Sequence, residues 1–114
     1  MVWHESAAEE FEKSKWTVKP LMSKAHGHWG TKAEHPDNKF AVSFSTQDDG
    51  SHIATVMHKA RKGFEITHTI YAEPEKNDEV NQPLVFSLPP EKKQELALVI
   101  RRAREYLKKH APAD

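Results

Sequence analysis

Apolar and polar positions alternate with a period of two through the middle of the chain and with a period near 3.6 toward its end, which predicts a sheet followed by a helix. Phe64, Ile66, His68 and Ile70 fall on one side of an extended segment, while Glu65, Thr67, Thr69 and Tyr71 fall on the other. A central strand over residues 64–71 is therefore expected, with one side packed and the other open to a ligand. Gly63 offers the positive φ that a tight reversal into this strand needs. Upstream, Phe40, Val42 and Phe44 alternate inward against Ala41, Ser43 and Ser45, predicting a strand over residues 40–46. Asp48-Asp49-Gly50-Ser51 is a hairpin turn signal. A second strand over residues 52–59 follows, whose apolar Ile53, Ala54, Val56 and Met57 leave its facing undetermined.

The flanks read less regularly. Ser6-Ala7-Ala8-Glu9 has capping-box spacing and predicts a short helix over residues 7–15. Residues 16–22 read as extended, with Pro20 confining them to an edge or a loop, and residues 23–39 carry no period and read as a long loop. After the central strand, residues 73–79 form a polar, largely acidic loop, and residues 84–88 read as a fourth short strand. Pro89-Pro90-Glu91 then opens a helix whose Leu96, Val99, Ile100, Ala103 and Leu107 make one apolar stripe and whose far end is basic. The expected class is α+β: a four-stranded antiparallel β-meander packed on a carboxy-terminal helix, with a short amino-terminal helix and a long loop. The whole forms a single domain, an extension over residues 1–39 and a sheet-plus-helix core over residues 40–110.

Charge and composition narrow the functions this fold can host. The 114 residues hold 17 Lys+Arg and 17 Asp+Glu, so any attraction to nucleic acid or an anionic surface must come from a local patch. With no cysteine, disulfide and thiolate chemistry are excluded. The first residues have neither a basic nor an apolar leader region, and no run approaches the roughly 20 apolar residues of a membrane span. The expectation is an intracellular protein, cytoplasmic or nuclear, with no membrane partner. Nucleophile-elbow, phosphate-cradling and His-Glu-x-x-His motifs are lacking, so a non-enzymatic protein without a cofactor is expected.

The basic turn supplies the candidate chemistry. Lys59, Arg61 and Lys62 lie between His58 and Phe64, a composition suited to phosphates with rings beside them. Thr67, Thr69 and Tyr71 on the outward side add hydroxyls and a stacking ring for unpaired bases. If Lys39 joins the three turn cations in one positive strip beside Tyr71, the partner is single-stranded DNA or RNA. If these cations scatter among acids, the rival reading gains, a protein–protein interaction or inhibitor module in which turn cations are simply solvated. A third reading rests on the eight histidines, since His26-Gly27-His28 with His35 places imidazoles near one another; solvated surface groups are the plainer account.

The Ser87-Leu88-Pro89-Pro90-Glu91 junction into a helix bearing Leu96 and Ile100 resembles the positive cofactor four group of transcriptional coactivators and its bacterial relatives. So does the Lys62-Gly63 hairpin leading into a strand that ends at Tyr71, followed by an acidic loop. The resemblance covers residues 40–107. It implies a homodimer whose curved sheets and basic hairpins hold single-stranded DNA, in transcription or DNA maintenance, with Arg61, Lys62 and Tyr71 at the matching positions. Ala72 stands where that family would offer a large aromatic, and Lys92-Lys93 where it would offer a tryptophan.

Overall fold

Six strands lie side by side in the order they occur in the chain, each antiparallel to the next. They are β1 (Thr17–Ser23), β2 (Gly27–Glu34), β3 (Phe40–Thr46), β4 (His52–Ala60), β5 (Gly63–Tyr71) and β6 (Glu79–Val80), framed by the helices α1 (Trp3–Glu12), α2 (Gln82–Ser87) and α3 (Pro90–His110). This computed structural model describes residues 2–37, 39–73 and 75–112. Asn38 of the expected long loop and Pro74 of the expected acidic loop lie outside them.

The α+β class and the antiparallel sheet stand, but the sheet has six strands rather than four. Residues 27–34, expected as loop, form β2, paired on both sides with β1 and β3. Their period is hidden because the positions that pack, Thr31 and Ala33, are small or polar. Gly30 is required by close approach: a Cβ there would sit 2.8 Å from the Phe44 carbonyl oxygen and 2.9 Å from Ser45 Cβ. Residues 84–88, expected as the fourth strand, lie instead in α2 and its C-cap, with proline in the first turn where its missing N–H costs nothing. The last strand is the two-residue β6, paired with His68 and Thr69. Pro20 does sit on an edge strand, β1, where its missing N–H interrupts the outer row of donors, and at the other edge β6 covers only His68 and Thr69 of β5.

One core lies between the sheet and the two long helices. Phe40, Val42 and Phe44 from β3, Ala54 and Val56 from β4 and Ile70 from β5 meet Ala7, Ala8 and Phe11 of α1 and Leu96, Val99, Ala103 and Leu107 of α3. Burying each large apolar side chain stabilises the fold by about 1.5–3 kcal/mol, which is why a helix as short as α1 persists once docked. Phe11 centres an aromatic group, its ring centroid 4.4 Å from Trp16 and 5.0 Å from Tyr106. The apolar stripe expected on α3 is the stripe that packs.

Packing also moves α1 upstream of its expected span. The helix begins at Trp3 with Val2 as N-cap and makes no side-chain cap, so the Ser6–Glu9 box goes unused. Trp3 donates its ring N–H to Thr46 Oγ1 at 3.1 Å and lies edge-on to His52, while the buried His4 places Nδ1 2.7 Å from Thr31 Oγ1. These tertiary contacts outweigh the local capping signal. The helix stops where Lys15, at φ 75°, turns the chain back and the Trp16 N–H reaches the Phe11 carbonyl.

Candidate nucleic-acid interface

The face of the sheet away from α1 and α3 carries the candidate site, and a bulge decides which side chains reach it. Met57 pairs with Ile66 and Val56 with His68, so Thr67 is an extra residue in β5. An inserted residue reverses the facing of everything before it. Phe64 and Ile66, expected inward, thus share the open face with Met57, Thr69 and Tyr71. Thr67, expected outward, is fully buried and donates its hydroxyl to the Val56 carbonyl at 3.1 Å. A second bulge, opposite Leu21 and Met22 of β1, leaves Trp29 as the extra residue of β2 and brings it to the same open face beside Leu21.

Side chains meet across the open face around a trough. Lys32 Nζ of β2 lies 4.6 Å from the ring centroid of Phe64 on β5, spanning β3 and β4. The trough has a volume of about 420 Å³, with walls of Leu21, Trp29, Ile53, Met57, Phe64 and Ile66. Its floor is hydroxyl-rich: Ser43, Ser45 and Thr55 are buried beneath the larger side chains. Trp29 and Ile66 remain 36% and 49% exposed, so the apolar walls are open to a ligand.

At one end the trough meets a cleft of about 460 Å³ between the β2–β3 connection and the β4–β5 turn. Lys39, Lys59 and Arg61 line it together with His35, Phe40 and Phe64, and so do the acids Glu34 and Asp37. The Lys59 N–H donates to the Lys39 carbonyl at 2.6 Å, locking the two lysine backbones together. Gly63, at φ 113°, closes the turn that presents Arg61 and the exposed Lys62. None of Lys39, Lys59, Arg61 and Lys62 has a salt-bridge partner among the described residues. Glu34 is held instead by Lys19 at 3.0 Å and Lys32 at 3.9 Å. Behind the cleft, burial first, and then the charges of Lys39 and Lys92, push the His58 pKa down.

The opposite end holds paired charges, Lys76 with Asp49 and Glu73, and Arg104 with Asp78. The Ser51 backbone N–H and hydroxyl, then Lys76, hold the Asp49 carboxyl down at about 2. Tyr71 donates its hydroxyl to Glu79 at 3.3 Å and lies beside Lys76, whose Nζ is 5.4 Å from the ring centroid. Partial burial, with Glu79 alongside, pushes its phenol pKa up. Of the seven residues singled out from the sequence, Lys39, Lys59 and Arg61 converge, with Lys62 on the adjoining turn. Thr69 lines the trough, Thr67 is internal, and Tyr71 stands at the far end of β5 from the cations. The cations thus form neither a strip beside Tyr71 nor a scatter: they gather at the opposite end of β5, next to Phe64 and in one lining with Glu34 and Asp37. Phe64 and Ile66 escaped the sequence reading because the bulge in β5 hid their facing, and Trp29 and Lys32 because residues 23–39 read as a loop.

The loop histidines go separate ways. His26 faces Asp48 at 3.5 Å, His28 faces Glu5 at 3.5 Å and packs edge-on to His4, and His35 lies edge-on to Trp16. Among the described residues no group of three or more His, Asp or Glu is placed to hold a metal ion. No helix among them is long and apolar enough to cross a membrane. Compared with protein-family models, curated proteins and solved structures, the chain has no significant match. The junction that carried part of the resemblance to the positive cofactor four group runs from helix to helix here, not from strand to helix.

Proposed function

We propose that the protein is a non-enzymatic module that binds single-stranded nucleic acid in the trough. Phosphates meet Lys39, Lys59, Arg61 and Lys62, and bases lie against Phe64 and Trp29 over the hydroxyl floor. The observation that carries this reading is the junction at Phe64, where an open aromatic and apolar wall continues into a cleft lined by cations free of salt bridges. Rings offer every base a stacking surface, worth about 1–3 kcal/mol per base, and the cations supply the sequence-independent part of the affinity. A duplex keeps its bases stacked inside and gains little from such walls, so unpaired strands are preferred.

Fluorescence anisotropy with a labelled oligonucleotide at two salt concentrations tests the reading. Each phosphate neutralised lowers log K by about 0.7 for each decade of salt. No binding in low salt at micromolar protein rejects it. A second reading, a protein-interaction module, is favoured by Phe86 of α2, which is 70% exposed. A pull-down with and without nuclease treatment separates the two, since a direct protein partner survives the nuclease.

A further inference from the structure

The cleft differs from the open track that a continuous phosphate backbone needs. Its cations converge from two connections on one cavity, while Glu34 and Asp37 belong to the same lining. A strand threading through would carry one phosphate onto Lys39, Lys59 and Arg61 and the next past Asp37, well inside a screening length of about 8–10 Å. A strand that ends there brings one phosphate only. As a terminal monoester, that phosphate carries about 1.5–2 negative charges near neutral pH, against one for an internal diester. Lys39, Lys59 and Arg61 outnumber Glu34 and Asp37 in that lining, form no salt bridge among the described residues, and leave Glu34 to Lys19 and Lys32, so the cavity keeps a positive balance for that concentrated charge.

The rest of the face limits how far a strand can run. Lys32, over the Phe64 ring at 4.6 Å and 3.9 Å from Glu34, is the one cation lining the trough among the described residues, and the first internal phosphate would pass beside it. Beyond Thr69 the sheet ends among Asp49, Glu73, Asp78 and Glu79, where Lys76 is paired with Asp49 and Glu73, and Arg104 with Asp78. Lys76 and Arg104 are thus committed to carboxylates, and the strand is held at the cleft and the adjoining trough. Resting on the single-strand reading above, we infer that the protein grips a strand by its phosphorylated end, with the terminal phosphate in the Lys39–Lys59–Arg61 cleft and the first base against Phe64.

Three short oligonucleotides of one sequence test this, with a 5′-phosphate, a 3′-phosphate or hydroxyls at both ends, each labelled at an internal base and titrated with the full chain. One phosphorylated form is expected to bind about tenfold tighter than the hydroxyl form, the scale of one added charge-assisted contact, and its position identifies which end is seated. The double variant Lys59→Ala, Arg61→Ala, checked for native circular dichroism, is expected to erase that preference. Equal affinity for all three strands overturns end recognition and leaves the single-strand reading standing. A preference that persists in the double variant also overturns it, by placing the phosphate elsewhere. Failure of all three to bind removes both.

Discussion

Replacing Thr67 by valine tests whether β5 is bulged as described. Thr67 and Val56 are both fully buried, and the only change in shape is a hydroxyl exchanged for a methyl, so no cavity opens. What goes is the 3.1 Å hydrogen bond to the Val56 carbonyl, together with the 3.2 Å contact between the hydroxyl and His68 Nδ1. The hydrogen bond itself contributes about 1 kcal/mol, and leaving its buried acceptor one bond short raises the cost toward about 3 kcal/mol. A loss of about 1–3 kcal/mol is thus expected from Thr67→Val, where each kcal/mol lowers Tm by about 4–8 °C in a domain of this size. Thr69→Val is the control: Thr69 lines the open trough, and the change should stay within about 0.5 kcal/mol. Urea and thermal unfolding followed by circular dichroism measure both. Strict alternation would put Thr67 and Thr69 on the same exposed face, so equal, near-zero effects for the two variants would refute the bulge and the face assignment built on it.

Stability should fall as the solution is acidified through the histidine range. Burial, then His28, lowers the His4 pKa against the opposing effect of Glu5, and burial also lowers His58 and His68. A histidine whose folded pKa lies below its ordinary value of about 6.5 contributes fully above that pH and loses its contribution as pH drops through 6.5 and below, because the unfolded chain binds the proton first. Urea midpoints should therefore decrease from pH 7.5 to 5.5, with a shallower decrease in His4→Asn; a flat or rising profile contradicts the burial of these rings. Gly30→Ala should cost about 1–3 kcal/mol, because the new Cβ would meet the fixed Phe44 carbonyl and Ser45 Cβ, and an unchanged urea midpoint would contradict the pairing of β2 with β3. Phe86→Ser should leave Tm within a few degrees, since that ring is mostly in solvent; a large drop would show that α2 is buried.

Where local pattern and tertiary packing agree, the fold was legible in the sequence. The alternation of Phe40, Val42 and Phe44, the Asp49-Gly50 turn and the α3 stripe of Leu96, Val99, Ala103 and Leu107 each sit where the period puts them. Period alone fails at an inserted residue. A single bulge at Thr67 leaves composition untouched yet exchanges Phe64 and Ile66 for Glu65 on the open face, and no local signal marks it. β2 was lost for a related reason, since a strand packing through Thr31 and Ala33 and narrowed by Gly30 shows no apolar alternation. Residues 84–88 looked like a strand because Leu84, Val85, Phe86 and Leu88 are apolar, but Pro83 favours helix entry and five apolar-rich residues cannot decide between the two. Of the site, the cations were readable as a basic turn; their separation from Tyr71 by the length of β5 was not.

The most direct test of the account is a backbone amide NMR titration of the full chain with a short unstructured oligonucleotide in low salt. Resonances of Trp29, Lys32, Lys59, Arg61, Phe64 and Ile66 should shift together and return as salt is raised, while those of α1 and α3 stay in place. Shifts confined to the helices, or an unchanged spectrum, would contradict the claim that the uncovered face of the sheet and its cationic cleft form a seat for unpaired nucleic acid.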